Sequence, residues 1–182
     1  MRVHGLWLLS EPEAAAIFAV KTQDSGVRVG DRLVVCDAGG GTVDLISYCV
    51  RGITPALSVE ECCVGVGRFC GSTYIDRAFE GFVKERLGGV WEGLKGEVQQ
   101  RVVKNFEEVK CAFEDREGKD MFYVSIPTVD TVVEAGVFGG EMEIKREEMR
   151  ALFDPVVKQI VELVEQQVAS AGGEVTVRPP PP

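Results

Sequence analysis

Apolar positions change their period along this chain, and each change marks an element. Leu6 to Leu9 is a short continuous apolar run that reads as a buried strand. Ser10-Glu11-Pro12-Glu13 then opens a helix through Ala14-Ala15-Ala16-Ile17-Phe18-Ala19-Val20. Ser10 and Glu13 have the spacing of a capping box. The alternative start has Glu11 half-in and Pro12 at the first helical position, where its missing N–H costs nothing. Thr22 to Asp31 is a polar loop. Three strand-like segments follow, near 32–37, 42–50 and 53–63, joined by turns at Gly39-Gly40-Gly41 and near Arg51-Gly52. Such short connections predict an antiparallel meander within a larger sheet.

Beyond Gly65, Gly67 and Gly71, which mark a loop, the period lengthens to 3–4 residues. Tyr74, Ile75, Ala78, Phe79, Phe82, Val83 and Leu87 form one face of a helix that starts near Ser72 or Thr73. Gly88 to Gly96 breaks it, with Trp91 and Leu94 as packing anchors. A second helix, Glu97 to Phe113, carries Val98, Val102, Val103, Phe106, Val109, Cys111 and Phe113 on its apolar side. From Met121 to Val137 the pattern is strand-like, and Gly139-Gly140 turns into Glu141-Met142-Glu143-Ile144. A long helix starts near Arg146 or Glu147. Pro155 interrupts its apolar stripe, and Asp154-Pro155 could restart it as cap plus first position. Gly172-Gly173 ends it. Glu174 to Val177 reads as the first residues of a strand, before Arg178 and the prolines Pro179 to Pro182.

This order predicts a mixed α/β fold. Its core is expected at 1–70 and 141–178, with an inserted smaller α+β lobe at 71–140 and a proline tail at 179–182. At 182 residues and 45% hydrophobic, the chain has enough apolar surface for such a core. Net charge is −9. That argues against a general nucleic-acid or anionic-membrane surface. Six cysteines (36, 49, 62, 63, 70 and 111) resemble a disulfide count. Yet Cys36 and Cys49 sit in apolar runs, Cys62-Cys63 is adjacent rather than Cys-x-x-Cys, and only His4 could complete a His-containing zinc set. Thiols in a reducing cytosol are the expectation. No apolar stretch approaches the roughly 20 residues of a membrane span. The apolar run after Met1 is too short for a signal peptide.

Candidate chemistry concentrates in Asp37-Ala38-Gly39-Gly40-Gly41-Thr42-Val43-Asp44. Without Cβ atoms the glycines let backbone approach a bulky anion, and their N–H groups can point at phosphate oxygens. Thr42 adds a hydroxyl. Asp37 and Asp44 could hold a hydrated magnesium ion, which would offset their repulsion from a triphosphate. The same string could be a tight hairpin with no ligand. Glu11, at a strand-to-helix corner, could orient an attacking water, or simply belong to a helix start. Glu107 and Lys110, three apart, share a helix face. They could bond a ribose and an adenine from one side, or be a solvated face.

Taken in order, these segments resemble the nucleotide-binding domain of the seventy-kilodalton heat-shock chaperones, within the actin-like ATPase superfamily. Ser10 to Ala16 matches an Asn-Glu-Pro-Thr-Ala-Ala-Ala-like segment. Asp37 to Asp44 matches an Asp-Leu-Gly-Gly-Gly-Thr-Phe-Asp-like one. Cys70-Gly71-Ser72-Thr73-Tyr74-Ile75-Asp76-Arg77 weakly matches a Gly-Gly-Glu-Asp-Phe-Asp-like corner. Glu107 and Lys110 match a helical Glu-x-x-Lys, and Asp154-Pro155 a late Asp-Pro. Ser10-Glu11-Pro12-Glu13 and the acid-poor Ser72-Thr73 resemble a divergent branch, like large eukaryotic heat-shock-like proteins without a conventional peptide-binding domain.

The resemblance implies an actin-like (ribonuclease H-like) ATPase lobe with a mixed sheet and flanking helices, binding ATP or ADP with magnesium. Gly39, Gly40, Gly41 and Thr42 would cradle phosphates, with Thr42 also catalytic, and Asp37 and Asp44 would hold magnesium through water. Glu11 would position the hydrolytic water. Gly71 would close the back of the pocket, and Glu107 and Lys110 would contact the nucleoside. Pro12 would couple phosphate state to lobe rotation. The implied region is the second lobe alone: the family's first phosphate loop and its lysine precede it, and the adenosine loop follows. ATP affinity is then expected to be weak and turnover by this region alone absent. Client proteins and co-chaperones would act through other regions, in the cytoplasm. The alternatives are a non-catalytic interaction module and a sugar- or acetate-kinase-like member of the superfamily.

Overall fold

The computed structural model describes residues 10–22, 26–116 and 118–172. Helix α1 (Glu11–Thr22) starts as the capping box requires. Glu13 N–H donates to Ser10 Oγ at 3.4 Å, and Ser10 N–H returns a bond to Glu13 Oε2 at 3.2 Å. Ser10 is therefore the cap, and Pro12 is the second helical residue. Strands β1 (Arg32–Ala38), β2 (Val43–Gly52) and β3 (Ser58–Arg68) form an antiparallel sheet with β2 in the middle. β3 begins five residues later than the period predicted, because Thr54-Pro55 lies in the β2–β3 connection. It also runs through Gly65 and Gly67, which read as loop markers in the sequence. The β2–β3 register shifts between Leu45 and Ser47 and between Ser47 and Tyr48, so β3 bulges there.

The second sheet is also antiparallel, in the order β4 (Met121–Ser125), β6 (Glu141–Lys145), β5 (Val137–Phe138). Gly139 and Gly140 turn β5 into β6 with φ of 55° and 79°, the left-handed pair that a two-residue hairpin demands. Helix α2 (Thr73–Leu87) buries Ile75, Phe79, Val83 and Leu87. The expected break holds a short helix, α3 (Gly89–Gly93), which buries Trp91. Helix α4 (Gly96–Cys111) buries Val102, Phe106 and Lys110. Phe79 and Phe106 stack with centroids 3.9 Å apart, at the centre of this α2–α4 packing. Helix α5 (Arg146–Ala171) is continuous through Pro155, which neither breaks nor restarts it.

The chain divides into two compact units, 1–69 with 160–182, and 70–159. The return to the first unit falls inside α5, not at 141. The reason is that β6 pairs with β4 and β5 and so belongs to the second unit. Helices and sheets are both present, as an α/β chain requires. Both described sheets are antiparallel. The mixed sheet would need the expected strands at 6–9 and 174–177, which lie outside the described residues.

In the first unit, α5 packs on β2 and β3. Gln167 is fully buried, and its Nε2 donates to Ser47 Oγ at 2.8 Å. Arg68 pairs with Glu162, and the Arg32 guanidinium donates to the Ala171 carbonyl. No disulfide joins the six cysteines. Among the described residues no helix is long and apolar enough to cross a membrane.

Candidate functional site

The register of β1 and β2 puts Asp37 directly opposite Asp44 and Ala38 opposite Val43. The three glycines and Thr42 lie between, and the Gly39 N–H closes the turn onto the Thr42 carbonyl at 3.0 Å. Gly39 thus supplies closure and a missing side chain rather than a donor for a ligand. Backbone conformation does not require glycine in the turn. None of the three is among the residues with positive φ. A Cβ at Gly41 would meet nothing within 4 Å, and one at Gly39 only the Thr42 carbonyl at 3.5 Å. Among the described residues, then, no neighbour's bulk requires glycine at 39 or 41.

Asp37 and Asp44, both exposed, are a like-charged pair on one face of the sheet, an arrangement that costs up to about 1 kcal/mol. Magnesium is bound through one or two carboxylates, keeping several of its waters. Among the described residues no three acidic, histidine or cysteine side chains gather to hold a metal directly. Two exposed carboxylates beside a glycine turn therefore fit a hydrated magnesium rather than a caged ion.

Leu33, Val35 and Asp37 alternate onto the face that α1 covers. Glu11, Pro12 and Ala15 of α1 line a hollow of about 160 Å³ with Val35, Cys36 and Asp37. The first turn of α1 is tied down beside it. Ser10 Oγ donates to Glu13 Oε2 at 2.9 Å. The nearby Tyr48 hydroxyl is pushed above its usual pKa by burial, with the Ser10 hydroxyl opposing the rise and Glu13 and Glu61 adding to it. Tyr48 is 5% exposed. Ser10 and Glu13, at the start of α1, are thus near Tyr48 of β2, the strand that carries Asp44.

Gly71, Glu107 and Lys110 belong to the second unit. Gly71 is buried, and its carbonyl accepts the Tyr74 N–H at 3.1 Å at the start of α2. Lys110 is not part of a solvated face, whereas the Glu107 side chain is 54% exposed. Lys110 Nζ donates to Glu107 Oε2 and to Asp76 Oδ1, both at 2.7 Å, and its side chain is 6% exposed. Burial opposes the Lys110 charge, but the Asp76 and Glu107 carboxylates outweigh it and hold the pKa above the usual lysine value. The hydrogen bond from Lys110 in turn holds Glu107 below the ordinary carboxylate range. Two of three ammonium donors are spent internally, so a ligand could take at most one.

Within the first unit, then, Asp37, Asp44, Gly39 to Thr42 and the Glu11–Pro12 corner share one face of a sheet and its turn. Within the second, Glu107 and Lys110 are joined. Three participants are invisible to motif reading. Asp76 lies in the quoted corner, but nothing in sequence pairs it with Lys110. Tyr48 comes near Ser10 from a strand interior. Gly67 reads as a loop residue.

No family model matches the chain. It is similar to the proteins named Chaperone protein HscA of Escherichia coli O9:H4, Escherichia coli K12 and Escherichia fergusonii. Each is 27% identical over 174 residues, covering 94% of this chain and 24% of the relative. The chain spans about a quarter of the length of these curated relatives. This similarity to a seventy-kilodalton heat-shock-type chaperone, along nearly the whole chain, supports the family resemblance that its motifs carry.

Proposed function

We propose that this chain is part of the nucleotide-binding lobe of a divergent heat-shock-type chaperone ATPase. The observation that carries the reading is the opposition of Asp37 and Asp44 across the glycine turn, with Glu11 and Pro12 lining a hollow together with Asp37. Gly40, Gly41 and Thr42 would receive β- and γ-phosphates, and Gly39 would leave room for them. Asp37 and Asp44 would hold magnesium through its waters; when bound, the ion offsets the charge of the polyphosphate. Glu11 would orient the attacking water, and its carboxylate is free of resolved ion pairs among the described residues. Pro12, beside Asp37, would feel the occupancy of the turn. Gly71 would back the pocket, and Glu107 and Lys110 would face the nucleoside, with Lys110 acting mainly by holding Glu107 and Asp76 in place. In the complete protein, ATP hydrolysis would serve work on client proteins together with co-chaperones.

Calorimetric titration with ATP, with and without magnesium, tests this. Weak binding is expected, in the high-micromolar to millimolar range. It should depend on magnesium and be weakened at least about tenfold by Asp44→Asn, the loss typical of a group that orients a metal. A folded sample that takes up no nucleotide at millimolar ATP, or binds equally well in EDTA, would overturn it.

A further inference from the structure

Gly67 stands directly opposite Asp44 in the β2–β3 ladder. A Cβ built at Gly67 would run into Asp44 Oδ1, and would lie 3.4 Å from its Cγ and 3.5 Å from the Val43 carbonyl oxygen. The Asp44 carboxylate therefore rests across β3, in the space where a side chain at residue 67 would begin. Backbone conformation does not demand glycine there, since Gly67 is not among the positive-φ residues. Gly65, two residues earlier, is the contrast. Its Cβ would meet backbone, the Leu45 carbonyl oxygen at 2.7 Å, together with Ile46 Cγ1 at 3.2 Å. Gly65 is thus needed for the close approach of two strands. At Gly67 the obstacle is the free end of a flexible side chain, which can rotate away.

We infer that Gly67 is a positioning residue for Asp44: it keeps open the place over β3 in which the Asp44 carboxylate rests beside the glycine turn. The inference rests on the proposed function only for its consequence, that this placement serves magnesium. An alanine at 67 leaves the ladder intact and turns the carboxylate elsewhere. The strand stays, and the resting place of the Asp44 carboxylate is lost.

The full chain, labelled with 13C at its aspartate carboxyls, tests the placement without any nucleotide. At one fixed pH, Gly67→Ala is expected to move the Asp44 carboxyl resonance while that of Asp76, in the other unit, stays. An unmoved Asp44 signal in a folded variant overturns the inference. Were Gly67→Ala to unfold the chain, recovery of the fold in Gly67→Ala/Asp44→Ala would uphold the collision, and unfolding in both would contradict it. In titrations with ATP, Gly67→Ala should cut the ratio of affinities with and without magnesium by roughly tenfold. The same change in an Asp44→Asn background should cost nothing further. Equal loss with and without magnesium contradicts a role through Asp44. If the wild-type chain binds no magnesium-ATP, the proposed function falls, and the carboxyl resonance alone decides what Gly67 does.

Discussion

At Lys110 one buried ammonium holds two carboxylates from different helices. Removing it strands Asp76, whose side chain is 20% exposed, without a counter-charge. Lys110→Met is expected to lower stability by roughly 2–3 kcal/mol in chemical denaturation, well beyond a surface substitution. If Lys110 only touched a nucleoside, the same change would cost affinity and leave stability alone. The cluster also sets a pH dependence. Glu107 is held low by Lys110, so its contribution is complete above the unfolded glutamate pKa of about 4.3 and is lost as pH falls through the lower folded value. Lys110 is held high, so its share persists below the unfolded lysine value of about 10.4 and fades only as pH rises through the folded one. The stability gap between wild type and Lys110→Met should shrink as pH drops below about 4. The Glu107–Lys110 spacing was legible in the sequence because three residues on a helix share a face. The burial of Lys110 was not. It depends on Asp76, 34 residues earlier, and on the Phe79–Phe106 stack that brings α2 against α4.

Elements were legible where one period persisted. α1, α2, α4 and the β1–β2 hairpin lie close to where apolar spacing put them, and Ser10 and Glu13 cap α1 as the local motif requires. β3 was misread for a physical reason. Glycine signals a loop by composition, but at Gly65 and Gly67 it admits a neighbouring backbone and a neighbouring carboxylate within a bulged strand. Pro155 misled in the same way, since packing of the long α5 tolerates a residue whose local cost is about 3 kcal/mol. Two substitutions weigh these readings at the level of the elements. Gly65→Ala should destabilise the first sheet by about 2 kcal/mol or more, since backbone must yield. Ser10→Ala should cost about 1 kcal/mol as a lost helix cap. It should also loosen Tyr48, seen as a fluorescence or near-ultraviolet dichroism change that Glu13→Gln reproduces only in part. A Ser10→Ala protein as stable as wild type would remove the cap and its tie to β2 from the account.

For the whole molecule, the candidate residues fall into two compact units, and the chain spans about a quarter of its chaperone relatives. The mixed α/β character and the glycine turn were readable because both are local: a period, and a string of eight residues. What supports the turn comes from strand register and from α1 lying over β1, which no single segment encodes. The central claim is that nucleotide phosphates meet the Gly39–Thr42 turn. Proton–nitrogen correlation spectra during a magnesium-ATP titration test it most directly. The amide signals of Gly40, Gly41, Thr42 and Asp44 should move together with that of Glu11, and removal of magnesium should reverse them. Signals that stay still at this turn at millimolar nucleotide, or move only around the 260 Å³ hollow lined by Glu108, Ala112, Met121 and Tyr123, would contradict it.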